Sequence, residues 1–420
     1  MKIRRVAMLS VHTCPLATLG GKETGGMNVY VRDLAREFSR RDIAVDVFTR
    51  SQNPHLPHVM HKLGVNGRVV HIPTGPEEPY DKNKVFEYLP EFTAGVLRFA
   101  RDEGIAYDVI HSHYWLSGWV ARDLRAAWSV PIVHMFHTLG LMKNQIASRA
   151  SEMETGRRID VETEIVNFAD RLIAATPAEQ HQLEWLYGAH PDRITVIPPG
   201  VDTRHFHPIP REIARSHIGV HPNDRWMALF VGRIERLKGV DTLIRAIALL
   251  AYECPTWVQQ MCVAIIGGDP ATNENEEMER LKRMCGELGL SDLITFLGAR
   301  DQDQLRYYYN AADFVVMPSR YESFGMVALE AMACGRPVVA SEVGGLAHLV
   351  RDGETGFHVP EGNHVALATT MARLLQDDRL RARLGRQAET WAQTYAWPQI
   401  ADRLIDTFEA ERKVRVPVMA

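Results

Sequence analysis

The stretch SRYESFGMVALEAMACGRPVVAS holds two glutamates, Glu322 and Glu330, with seven residues between them. ESFG reads as a turn entering a helix, and GMVALEAMACG as a helix body that ends at Gly335. Glu330 then lies inside an otherwise apolar helix, and a buried carboxylate is costly unless something pairs with it. The hydroxyl pair of a sugar would serve, and so would a structural salt bridge. The backbone N–H groups of Phe324, Gly325 and Met326 would face an anion. FVGRIERLKG adds Arg233 and Lys238, five positions apart, directly after an apolar run. Two cations at the carboxyl mouth of a parallel sheet suit a diphosphate; a solvated charged loop is the plainer alternative. Near the start, GGKETGGMN puts four glycines in seven positions just before a helical pattern. Bare backbone there lets N–H groups approach a ligand, though a tight turn would also use glycine.

The histidines offer less. HSHYW holds His111 and His113, and HMFHTLG holds His134 and His137. Alternate residues of a strand share a face, so a metal pair is geometrically available. No cysteine or carboxylate cluster accompanies them at ligand spacing, so no metal is expected. One histidine at a strand end reads better as a polar contact to substrate. SEVGGLAHLV repeats the glycine theme with Gly344 and Gly345. The sequence contains no G-x-S-x-G, P-loop or H-E-x-x-H motif.

Such residues need elements that deliver them to one edge. RVAMLSV, VDVFTR, DVIHSHYW, PIVHMFHT, RLIAATP and ITVIPPG read as strands in the first half. MALFVGRI, CVAIIGG, LITFLG, DFVVMPS, PVVASEV and GFHVP read as strands in the second. Apolar runs without alternation suit parallel sheets covered on both faces. Helical periods lie between them, as at Met27, Tyr30, Val31, Leu34 and Phe38. This is an α/β pattern. It restarts near residue 226, after the proline-rich IPPGVDTRHFHPIP, which reads as the linker. The expected domains are residues 1–205 and 206–397. Pro398, inside the helical pattern YAWPQIADRLIDTFEAE, predicts a kink or a helix start.

With 420 residues the chain is long enough for two or three domains. Its 46% hydrophobic and 24% charged fractions fit a soluble globular protein, and a net charge of −4 gives no reason to expect nucleic acid or a polybasic membrane patch. The five cysteines form no C-x-x-C pair, which argues against a disulfide framework and for a reducing, cytoplasmic setting. MKIRRVAMLSVHT is too short in its apolar run for a signal segment, and no stretch approaches a membrane span.

Taken in order, GGMN, HMFHT, IPPGVD, GRIERLKG and the E-x7-E of ESFGMVALE resemble the retaining GT-B glycosyltransferases of family 4 over nearly the whole chain. SVHTCPL, GGMNVYVRDL and HTLGLMKN look most like the inositol-phosphate N-acetylglucosaminyltransferases of mycothiol synthesis, with sucrose-phosphate synthases as close relatives. The resemblance implies two Rossmann-like doubly wound domains facing a central cleft. It also implies that the C-terminal helix, about 398–420, packs back on the first domain. It places Arg233 and Lys238 on the donor diphosphate, with Gly232 beside them, and Glu330 on the ribose. Glu322 falls on the hexose hydroxyls, supported by amides from Ser323, Phe324, Gly325, Met326 and Val327. Arg300 falls at the base, Gly26 near the donor phosphates with Asn28 adjacent, and His137 at the hexose. On the acceptor side it points to Lys82, Tyr114, Thr138 and Arg157 around a phosphate, with Lys84 and Arg158 as the neighbouring alternatives.

The activity so implied is transfer of glucose or N-acetylglucosamine from a UDP-sugar to a phosphorylated small molecule. Retention is expected, and neither a cofactor nor a metal. The alternatives are a sucrose-phosphate synthase, a GT-B sugar-nucleotide 2-epimerase and a non-catalytic nucleotide-sugar binder. A homodimer stays open.

Overall fold

The computed structural model describes residues 2–17, 24–147, 149–221, 224–268 and 276–415. The chain divides into two compact units. Met1–Ala17, Gly26–Gly200 and Trp397–Ala420 make the first, and Val201–Ala396 make the body of the second.

Among the described residues the first unit holds one eight-stranded sheet. Its strands are β1 (Arg5–Leu9), β2 (Ala44–Arg50), β3 (Val59–Met60), β4 (Gly67–Ile72), β5 (Val109–His113), β6 (Ile132–Met135), β7 (Arg171–Ala174) and β8 (Ile194–Val196). They lie in the order β3-β4-β2-β1-β5-β6-β7-β8, and only the β3–β4 pairing is antiparallel. Val6, Ala7, Met8 and Leu9 of β1 are all fully buried, because both faces of the sheet are covered. Ala7 and Leu9 join a core with Phe92, Trp115 and Ile165 from three helices. Two more helices pack on each other, Gly26–Ser39 and Trp397–Arg415, through Phe38 against Phe408 and Tyr30 against Trp397. Arg41 adds a bond to Asp402 at 2.9 Å and one to the Pro398 carbonyl at 2.8 Å. Pro398 is the second residue of its helix and marks a start, where its missing N–H is not needed.

The second unit holds six parallel strands, β9 (Trp226–Val231), β10 (Met261–Ile266), β11 (Ile294–Gly298), β12 (Phe314–Met317), β13 (Val338–Ser341) and β14 (Gly356–Val359). Their order is β11-β10-β9-β12-β13-β14. Phe230, Ile244, Ile265, Phe314, Leu367 and Leu384 form its core.

In each sheet the strand order reverses at one place, between β1 and β5 and between β9 and β12. Crevices open at the carboxyl ends of strands at such switch points. The loops after these four strands carry most of the chemistry read above. β3 and β4 lie outside the runs read above. β3 is two residues long, and β4 is flanked by polar, turn-forming residues that mask its short apolar centre. Among the described residues no helix is long and apolar enough to cross a membrane.

Candidate active site

Each unit presents its own cluster. In the second, β9 ends at Val231 and Gly232–Arg233 follow; Arg233 forms a half-exposed pair with Glu235 at 2.9 Å. A short turn, Arg236–Lys238, then carries Lys238 to Glu322, Nζ to Oε2 at 2.5 Å, with each side chain 15% exposed. Gly239 allows this approach: at φ +66° it presses on the end of β12, where a Cβ would lie 1.9 Å from the Pro318 carbonyl oxygen.

The ESFG turn leads into the helix Met326–Ala333, with Gly325 at its N-cap. The other glycine pair explains itself here. The Gly345 N–H donates to the Glu322 carbonyl at 2.8 Å. A Cβ on Gly344 would meet that same carbonyl oxygen at 2.2 Å, and one on Gly345 would meet Phe324 Cα at 2.4 Å. Gly344 and Gly345 are therefore a platform under the ESFG turn. Glu330 is 5% exposed. Its Oε2 accepts from the Tyr309 hydroxyl at 2.7 Å and its Oε1 from Gln302 Nε2 at 3.2 Å. Gln302 and Tyr309 both come from the helix Gln302–Ala311. Burial and the nearby carboxylate hold the Tyr309 hydroxyl protonated, well above its ordinary range. Arg300, half-buried after β11, donates to its neighbour's carbonyl, Ala299, at 2.9 Å. Ser323, Met326 and Val327 are half-buried around the turn, and Phe324 is buried.

In the first unit the corresponding cluster forms around an arginine. Arg158 is fully buried, and its guanidinium donates to Glu162 Oε1 at 2.7 Å, Tyr114 Oη at 2.9 Å, Thr138 O at 2.8 Å and Thr138 Oγ1 at 3.1 Å. Glu154 Oε1 lies 2.8 Å from its Nη1 and also pairs with Lys143. Burial opposes these charges, but Tyr114, Glu162 and Glu154 hold Arg158 above its ordinary pKa. Lys82, half-buried in the turn Lys82–Val85, adds its field to the Tyr114, Lys143 and Glu154 positions.

Arg158, rather than Arg157, therefore joins Tyr114 and Thr138. Arg157 is exposed and its guanidinium lies over the Phe86 ring at 5.2 Å. Helical spacing decides between them. Positions four before and four after Arg158 are Glu154 and Glu162, whereas Val161 follows Arg157 at that step. The same spacing is legible in EMETGRRIDVETE and is the signal that reading by motif passed over. Tyr187, Gln302 and Tyr309 carried no motif and become visible only in the fold, as does the pairing of Lys143, from HTLGLMKN, with Glu154.

His137 and Tyr114 have φ of +63° and +73°, left-handed values costly for residues with side chains. That strain sits at the ends of β6 and β5, where Tyr114 reaches Arg158 and His137 packs on Tyr30 and His113. His137 Nε2 and His113 Nδ1 are 3.0 Å apart, one donating and one accepting. Burial holds His137 neutral, down to about 3, and His113 well below its ordinary value. His111 and His134 are internal partners of the sheet: His111 Nδ1 lies 3.0 Å from Val133 O, and the Ser112 hydroxyl 2.8 Å from His134 Nδ1. Among the described residues no group of three His, Cys, Asp or Glu side chains could hold a metal ion.

Gly26 opens the helix Gly26–Ser39, and a Cβ on Gly25 would meet no described atom within 4 Å. Described protein packing thus gives no reason for glycine at 25. Asn28 faces inward: it is 1% exposed and donates to Thr13 Oγ1 at 2.7 Å and Cys14 O at 2.8 Å, tying the helix to the loop after β1. Gly20, Gly21, Lys22 and Glu23 of the glycine stretch lie outside the described residues.

The chain matches two family descriptions, Glycosyltransferase Family 4 over residues 24–205 and Glycosyl transferases group 1 over residues 214–391. It is 43% identical over 414 residues to a D-inositol 3-phosphate glycosyltransferase of Acidothermus cellulolyticus, spanning 98% of this chain and 92% of that one. It is 41% identical over 416 residues to the protein of that name in Thermomonospora curvata, spanning 97% and 96%. Among solved structures, a sucrose-phosphate synthase from Thermosynechococcus elongatus is similar at a TM-score of 0.88 and 34% identity, covering 97% of this chain and 98% of that one.

Proposed function

Since the chain belongs to the family 4 glycosyltransferases, we propose that it moves a hexosyl unit, glucose or N-acetylglucosamine, from a UDP-sugar to a phosphorylated polyol or sugar of the inositol phosphate type, with retention at the anomeric carbon. The observation that carries the acceptor is the cluster of buried Arg158 and Tyr114 with half-buried Thr138, and Lys82 and Lys143 beside it. A planar guanidinium flanked by two hydroxyls and further cations is a phosphate-binding set. The name of the relatives at 41–43% identity supports an inositol phosphate.

On the donor side, Arg233 and Lys238 hold the diphosphate, with the N-terminal amides of Met326–Ala333. Charge grows on the diphosphate as the bond to the anomeric carbon breaks, and these groups stabilise it there. The new bond forms on the same face of the sugar, and the departing phosphate oxygen takes the proton of the acceptor hydroxyl. Because two side-chain cations serve the leaving group, the reaction needs no metal. Glu322 orients the hexose hydroxyls while holding Lys238. Glu330, its carboxylate fixed by Tyr309 and Gln302, accepts from the ribose hydroxyls, and Arg300 faces the base. His137, neutral, contacts the hexose.

A second reading, sucrose-phosphate synthase, is favoured by the 34% identity to the Thermosynechococcus structure. UDP release in EDTA separates the readings. UDP-glucose and UDP-N-acetylglucosamine are each crossed with inositol phosphate, fructose 6-phosphate, fructose and no acceptor. Release with inositol phosphate supports the first reading, and release with fructose 6-phosphate the second. An isomerised donor with no acceptor marks an epimerase. Silence throughout, or activity lost in EDTA and restored by a divalent ion, refutes the corresponding part.

A further inference from the structure

The Arg158 guanidinium is ringed by acceptors, with four hydrogen bonds and a further ion pair. Nε donates to Glu162, Nη1 to Tyr114 and Nη2 to the carbonyl and hydroxyl of Thr138, while the Glu154 carboxylate pairs with Nη1 at 2.8 Å. A guanidinium so engaged cannot bind a substrate anion unless one partner leaves. The five are not equally removable. Glu162 is fully buried and also accepts from Gly140 N at 2.9 Å and from the Tyr187 hydroxyl. Tyr114 and Thr138 belong to strand-end backbone, and their hydroxyls can serve a phosphate without moving. Glu154 differs. It precedes the helix Gly156–Phe168, just ahead of the N-cap Thr155. Its backbone is held by Asn144, through Glu154 N to Asn144 Oδ1 at 2.7 Å. Among the described residues its carboxylate pairs with Lys143 and Arg158, both through one oxygen.

We propose that the Glu154 carboxylate is a resident occupant of an anion seat between Lys143 and Arg158, and that a phosphate group of the acceptor displaces it. This rests on the phosphorylated-acceptor reading above. The charges favour the exchange for one class of ligand. Three cations, Lys82, Lys143 and Arg158, face two carboxylates, Glu154 and Glu162. A phosphate monoester carries about −1.5 to −2 at neutral pH, so putting it in the place of one carboxylate brings the cluster close to neutrality. A neutral polyol offers nothing that could compete with Glu154, and a monoanion only equals it. Glu154 thus acts as a specificity residue against unphosphorylated acceptors, by requiring a stronger anion than itself. It also accounts for the pair Lys143–Asn144 of the HTLGLMKN stretch: the lysine holds the carboxylate of Glu154 and the asparagine its backbone. The seat is permanently charged, since Arg158 and Lys143 overcome the effect of burial and pull the Glu154 carboxyl down to about 2.

The test is calorimetric titration of inorganic phosphate into the full chain at low ionic strength, with and without UDP to fill the other cation site. Glu154→Gln keeps the shape and the Asn144 bond but removes the charge. Phosphate should bind it at least about tenfold more tightly than the wild type, the size of one charge-assisted contact. The KM for a phosphorylated acceptor should fall with it while the donor KM stays. Equal or weaker phosphate binding in Glu154→Gln, or no binding in either protein, overturns the proposal and makes Glu154 a support for Arg158. Should Glu154→Gln fail to fold, Glu154→Ala gives the same reading. Failure of the acceptor reading shows separately, as wild-type turnover with no phosphorylated acceptor despite a tightened phosphate site in the variant.

Discussion

Lys238→Ala separates the chemistry of the donor site from its architecture. Lys238 Nζ lies 2.5 Å from Glu322 Oε2, and both side chains are 15% exposed. The turn that carries the lysine is fixed by backbone, through Lys238 N to Glu235 O at 2.9 Å and Gly239 N to Arg236 O at 3.0 Å. Truncation therefore leaves the loop in place and deletes one charge. The structural loss is that of a mostly buried carboxylate deprived of its partner, about 1–2 kcal/mol. For a unit of this size that lowers Tm by about 2–8 °C. The chemical loss is larger, because the cation acts where the leaving diphosphate gains charge; removing one such donor costs about 10²–10³ in kcat, or about 2.7–4 kcal/mol. The assay is UDP release at 25 °C, where the variant remains folded, with calorimetric melting on the same sample. A folded variant whose kcat stays within about threefold of wild type, less than 1 kcal/mol, refutes a leaving-group role for Lys238.

Two further perturbations follow from the geometry. Gly345→Ala places a methyl 2.4 Å from Phe324 Cα and must shift the ESFG turn; donor kcat/KM should fall at least about tenfold with acceptor KM unchanged, and unaltered donor kinetics would disconnect the platform from the site. Acidification should unfold the first unit early. His111, His113 and His134 are fully buried, and burial holds all three below their ordinary range, His111 at about 4. Unfolded histidine titrates near 6.5, so below that pH the unfolded chain binds more protons. Stability then falls as pH drops from about 6.5 toward about 4, by up to about 1.4 kcal/mol per pH unit for each ring. Glu179 works in the opposite direction: burial raises it from 4.5 to about 7, so its contribution is lost as pH rises through that window, and it offsets roughly one histidine. A melting temperature that does not fall between pH 7 and pH 5 would contradict neutral burial of the ring cluster.

The alternation of short apolar runs with helical periods was enough to read two parallel α/β sheets, because strands covered on both faces lose their polar alternation. The E-x7-E spacing, the Arg233 and Lys238 pair and the glycine turns also lie close together in sequence, and each is a local device at the end of one strand. β3 and β4 stayed hidden because short edge strands among polar turns carry little periodic signal. Arg158 was ambiguous with Arg157 by motif alone, and the side of the helix that carries Glu162, with Glu154 just ahead of the helix, resolves it. Tyr309 with Gln302 at Glu330, and Gly344 with Gly345 beneath ESFG, are contacts between segments far apart in the chain. A sequence determines which residues alternate, cap and turn, since those follow from neighbours a few positions away. Which carboxylate meets which cation depends on strand order and packing, and that is decided only when the sheets assemble.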